Sequence, residues 1–133
     1  MHATPYDFYE AQIARCIPSG SRVLGLQHYW LGLRQYSFRT WLMPLGMANP
    51  LYVDQPVPLE EALDAVNPDV VLVDRYISEM LRDAASPAHP NHRYYTGFQD
   101  FMAHRHVEPA CVIRDPTYGA MEVYVVPPRE PRK

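Results

Sequence analysis

The stretch Asp-Val-Val-Leu-Val-Asp, residues 69–74, constrains the chain more than any other. Four consecutive apolar residues held between two acids describe a strand buried on both faces, as in the middle of a parallel sheet. Such a strand needs helices on each side, and the flanking sequence supplies them. Leu59 to Val66 reads as a helix that ends before Asn67 and Pro68. Tyr76 to Ala85 reads as another, with Ile77, Met80 and Leu81 at the i, i+3, i+4 spacing of one helix face.

The alternation continues in both directions. Pro5 to Ile17 is a predicted helix, capped by Thr4, with Pro5 at the first position, where a missing N–H costs nothing. The proline and glycine of residues 17–21 stop it. Arg22 to Leu26 is a short buried strand, His28 to Arg34 a short helix, and Tyr36 to Met43 a second strand. Pro44 to Pro58 holds four prolines and reads as a surface excursion without a regular element. Tyr94 to His104 is a helix. Ala110 to Arg114 and Met121 to Val126 are strands joined by a hairpin loop.

Helix and strand that alternate demand crossover connections, and those are right-handed, so the sheet begins parallel. The expected fold is an α/β class protein: a small three-layer α/β/α sandwich on a five-stranded, mainly parallel sheet. The expected order is 2-1-3-4-5, with strand 5 antiparallel. One domain spans residues 1–127, followed by a frayed polar tail at 128–133. The 133 residues are 47% apolar and 20% charged, a globular balance with enough material for a core. A net charge of -3 argues against a nucleic-acid partner. No apolar window is long enough for the chain itself to insert in a membrane, and the N-terminus lacks the pattern of a signal peptide.

Gly25 and Gly32 follow the first strand and raise the question of a nucleotide loop. A dinucleotide fingerprint beginning at Gly25 needs glycines at 27 and 30, where Gln27 and Trp30 stand. No Gly-Lys-Ser/Thr of a phosphate loop is present either. No cofactor is therefore expected; Gly25 eases a tight turn, and Tyr29, Trp30 and Leu33 pack. His28, Trp30, Arg34, Arg39 and Trp41 are residue types that hold sugar rings, through indole faces and polar donors. The balance favours a solvated rim with Trp30 and Trp41 half in the core. The topological switch point lies at the C-terminal ends of strands 1 and 3. The candidate ligand-binding residues are thus Gln27, His28, Trp30 and Arg34 from one side and Asp74 and Arg75 from the other.

The remaining chemistry is sparse. His89 and His92 lie in a proline-rich loop, and His104 and His106 end a helix, where positive charge suits the dipole. No third ligand at defined spacing accompanies them, so no metal is expected. Asp115 suits a turn, and Glu122 faces water in an alternating strand, so the two are not read as an acid–base pair. No nucleophile–base motif is present, and catalysis by this chain alone is not expected. Cys16 and Cys111 lack metal or redox spacing. Two reduced thiols are favoured over a disulfide, which stays open because sequence does not place their Cα atoms.

Three features together carry a resemblance: the opening Tyr-Asp-Phe-Tyr-Glu-Ala-Gln-Ile-Ala-Arg-Cys-Ile-Pro-Ser-Gly-Ser-Arg-Val-Leu-Gly, the aromatic stretch 28–41, and Asn-Pro-Asp-Val-Val-Leu-Val-Asp with the final hairpin. They resemble the extracytoplasmic C-terminal domain of bacterial membrane glycosyltransferases, the superfamily of protein O-mannosyltransferases and aminoarabinose transferases. The resemblance spans about Tyr6 to Val126 and rests on fold and aromatic decoration, not on a catalytic signature. It implies an excised domain whose parent transfers a sugar from a polyprenyl-phosphate donor. The catalytic acid of that superfamily lies in the membrane portion, so no catalytic residue is carried over. The implied partners are the transmembrane portion of the same parent and an acceptor glycan or protein. The alternative is a stand-alone module binding a small, sugar-like polar ligand at the strand 1/strand 3 crevice.

Overall fold

A computed structural model describes residues 6–26, 33 and 37–128. The expected cap at Thr4 and Pro5, the helix 28–34 apart from Leu33, and the tail beyond residue 128 lie outside the described residues. In chain order the elements are α1 (Tyr6–Arg15), β1 (Arg22–Gly25), β2 (Ser37–Thr40), α2 (Leu42–Met47), α3 (Leu59–Val66), β3 (Val70–Val73), α4 (Arg75–Asp83), α5 (His92–His104), β4 (Glu108–Asp115) and β5 (Gly119–Val125).

The protein is of the α/β class, with helices on both faces of a five-stranded sheet. All four residues of β3 are buried, as the run between Asp69 and Asp74 demands. Their side chains alternate across the sheet. Val70 and Leu72 join Tyr9, Ile13 and Ile17 of the α1 side, together with Leu33. Val71 and Val73 join Leu59, Leu63, Ile77, Leu81, Phe98 and Phe101 of the other face. Helix periodicity follows from the same requirement. In α5 the buried Tyr94, Gly97, Phe98 and Phe101 fall at i, i+3, i+4 and i+7. In α3 Leu59, Ala62 and Leu63 do the same, and Asn67 ends the helix in the left-handed region at φ 52°. A Cβ on Gly97 would lie 2.7 Å from that of Leu59, so glycine is what lets α5 approach α3.

The strand order is β2-β1-β3-β5-β4, which corrects the expected 2-1-3-4-5. β1 runs parallel to β2 and β3, and β5 lies antiparallel to both β3 and β4, so the sheet is mixed where a mainly parallel one was expected. Strand 5 is thus antiparallel as expected, but it occupies the inner slot. The reason is in the side chains. Met121 and Val123 of β5 are wholly buried. β4 is largely exposed and carries Pro109, which donates no ladder hydrogen bond and is tolerated at an edge. An irregularity between Pro109 and Cys111 further breaks the edge.

A second correction concerns residues 42–47, expected as the end of a strand and the start of an irregular excursion. They form α2. Trp41 causes the turn: it is wholly buried, its indole N–H donates to the Leu72 carbonyl at 2.9 Å, and its backbone N–H donates to Gly25 O at 3.0 Å. The chain therefore leaves β2 and folds over the sheet. Leu45 N–H donates to Trp41 O at 3.2 Å, the first helical bond. Pro44 precedes it, in the first turn, where no N–H finds an intrahelical acceptor.

Cys16 and Cys111 form a disulfide, which overturns the expectation of reduced thiols. Their Cα atoms are 6.3 Å apart because α1 lies over the sheet as far as its β4 edge. At the N-terminal ends of β1 and β3, Asp69 joins three elements. Its carboxylate accepts from Arg22 N–H at 2.8 Å and from the guanidinium at 3.1 Å on each oxygen. Its backbone N–H donates to Arg22 O, and its carbonyl accepts from Val126 N–H.

Two outcomes are expected. The disulfide closes a loop of 95 residues' separation, so Cys16→Ser should lower unfolding stability by about 2–4 kcal/mol in denaturant melts, and reductant should do the same to the unaltered chain. The hydrogen bonds from Arg22 hold the Asp69 carboxyl below its ordinary 3.8, so its contribution is present above that value and lost as pH falls through the lowered folded-state value. An NMR titration should place Asp69 below 3.8 and show it rising in Arg22→Ala; identical titration in both proteins contradicts the clamp.

Candidate functional site

Leu33, between β1 and β2 in sequence, is buried on the α1 face, while the connection leaving β3 runs through α4 and α5 on the other face. β1 and β3 are neighbours in the sheet, and the crevice was expected at their C-terminal ends. Of its expected lining, Gln27, His28, Trp30 and Arg34 lie outside the described residues. Asp74 is buried and caps α4, its Oδ1 accepting from Ile77 N–H at 2.9 Å. Arg75 is exposed; its guanidinium sits 5.1 Å from the centre of the Tyr76 ring and donates to the Tyr76 hydroxyl at 3.2 Å. Its stem crosses Gly119, where a Cβ would come within 3.1 Å of Arg75 Cδ. A Cβ on Gly25 would press on Leu72 and Phe38, each at 3.1 Å, so that glycine serves strand packing.

The group weighed as a sugar holder, and read as a solvated rim with Trp41 half in the core, divides where it is described. Trp41 is in the core against Phe98, at 5.7 Å between ring centres, and presents no face to solvent. Arg39 is exposed and donates to Phe38 O. Asp115 does accept from turn amides, Thr117 N–H at 2.7 Å and Tyr118 N–H at 3.1 Å. Glu122 is half-buried and accepts from the Tyr124 hydroxyl rather than simply facing water. Burial, and then that carboxylate, push the Tyr124 phenol well above its ordinary range. His89 Nδ1 accepts from Asn91 N–H, and His92 Nδ1 lies 2.9 Å from Ala84 O. His104, in the last turn of α5, pairs with Glu60, which raises the imidazole above its ordinary value. Among the described residues no three potential ligands gather to hold a metal.

The sequence reading missed a groove of about 470 Å³ between α2, the turn after it and the start of α5. Leu42, Leu45 and Gly46 form one wall and Asn91 and Tyr94 the other, with Asn49 and Tyr52 at the end. Asn49 builds the turn: its Oδ1 accepts from Leu51 N–H at 2.9 Å, and its carbonyl accepts from Tyr52 and Val53. The result holds Leu51 and Tyr52 out in solvent, 87% and 77% exposed, beside the exposed Leu42 and Met43. The signal in the sequence was Asn-Pro-Leu-Tyr, a turn opener followed by two large apolar residues. Compared with protein-family models, with curated proteins and with solved structures, the chain finds no match in any of the three.

Because Asp74 caps α4 from a buried position, Asp74→Ala should cost about 1–2 kcal/mol in chemical denaturation. A neutral result would free Asp74 for a role in the crevice.

Proposed function

We propose that this chain is an extracytoplasmic accessory or acceptor-recognition domain of a membrane-embedded glycosyltransferase that uses a lipid-phosphate sugar donor. The observation that carries the reading is the Cys16–Cys111 disulfide, a bond that persists in oxidising compartments and is rare in reducing ones. The resemblance of the opening helix, aromatic stretch and hairpin supplies the family. The exposed Met43 and Leu51 are apolar surface of the kind that meets another body, here the transmembrane portion of the parent. In this reading the domain binds and positions, and the catalytic acid belongs to the membrane portion.

The second reading, a stand-alone module for a small polar ligand at the β1/β3 crevice, draws on the switch point between those strands. Fractionation of the native cells separates the two. An antibody to this domain should detect a membrane-bound product much larger than 15.4 kDa, degraded by protease added from the non-cytoplasmic side. A product of 15.4 kDa outside the membrane fraction contradicts the glycosyltransferase reading.

A further inference from the structure

We infer that the groove between α2 and α5 is a binding site for a neutral saccharide, with the Tyr52 ring as its stacking platform and Asn49 and Asn91 as its hydrogen-bonding groups. Three observations lead there. The first is Gly46. It lies inside α2 at an ordinary helical conformation, where glycine weakens a helix relative to alanine. No close packing demands it, because a Cβ there would meet nothing within 4 Å. Its missing side chain instead leaves the groove wall open. That contrasts with Gly25 and Gly97, whose Cβ atoms would meet neighbours at 3.1 and 2.7 Å.

The second is the chemistry of the lining. Leu42, Leu45, Tyr52 and Tyr94 supply apolar and aromatic surface, and two carboxamides each carry donors and an acceptor. The lining holds no acidic, basic or imidazole side chain. The nearest cation in sequence on α5, Arg93, lines a different groove and donates to the Tyr94 hydroxyl at 3.4 Å. None of the lining side chains is itself charged, and an uncharged wall with two amides matches a neutral sugar better than an anion; Arg93 reaches the lining only at the Tyr94 hydroxyl. The third is the placement of Tyr52. The Asn49 turn fixes its backbone while leaving the residue 77% exposed beside the groove, where its ring is accessible to a sugar's C–H face. A volume of about 470 Å³ is within the usual range for small-ligand sites.

The inference deepens the recognition role proposed above and rests on that reading only for which molecule displays the sugar. It is tested on the 133-residue chain alone, so its failure and that of the glycosyltransferase reading are separate results. Neutral mono- and disaccharides of glucose, galactose, mannose and N-acetylglucosamine are titrated against the labelled protein by NMR. At least one should shift the amides of Gly46, Asn49, Tyr52 and Asn91 saturably. Gly46→Met, which fills the groove, should abolish the shifts with an unchanged or higher melting temperature. Tyr52→Ala should weaken binding roughly tenfold with the fold intact, about the worth of one aromatic contact. No saturable shift with any of these sugars overturns the site, as does binding that survives Gly46→Met. Preferential binding to phosphatidylcholine vesicles, lost in Leu51→Asp, also overturns it and reassigns the surface to lipid.

Discussion

Burial of β3 from both sides is the constraint on which the rest of the structure depends. Four consecutive aliphatic side chains leave no face of that strand for water. One layer of helix must therefore cover Val70 and Leu72, and another must cover Val71 and Val73. The acids at its ends do different work. Asp69 clamps the first turn of the sheet to Arg22 and receives Val126, while Asp74 begins α4. The middle of the strand supplies the hydrophobic stabilisation, and its ends set where the neighbouring elements start.

Two contacts extend this core outward. Trp41 ties the exit of β2 to the carbonyl of Leu72, which bends the chain into α2 and places the Asn49 turn against the head of α5. The Cys16–Cys111 disulfide ties the far end of α1 to the edge strand. The groove thus depends on the tryptophan, and the closure of the α1 layer depends on the disulfide. The bonds of the tryptophan to Gly25 O and Leu72 O place it at the C-terminal ends of β1 and β3.

The helices α3, α4 and α5, strand β3 and the final hairpin were readable because each carries a local signal: an apolar period, a turn residue or an uninterrupted run. The order of β4 and β5 was not read, although its cause is local too. Pro109 disfavours an inner position, and Met121 and Val123 demand one. Helix α2 was hidden because a proline and a glycine within six residues argue against a helix unless a buried Trp41 initiates it. The disulfide was hidden because it depends on where α1 crosses the sheet, a three-dimensional fact. The α2–α5 groove shares that obscurity, since its two walls stand more than forty residues apart in sequence. Asp74 and Arg75 follow β3, where Asp74 caps α4 and Arg75 lies beside the Tyr76 ring.

The proposed function stands on the Cys16–Cys111 disulfide, a kind of bond that persists mainly in oxidising compartments. The most direct measurement is the intact mass of the native protein after alkylation of living cells without reductant. The account predicts that the fragment carrying Cys16 and Cys111 takes up no alkyl group and remains cross-linked until reduced. Two alkyl groups on that fragment would show reduced thiols and contradict the proposal that this domain lies outside the cytoplasm.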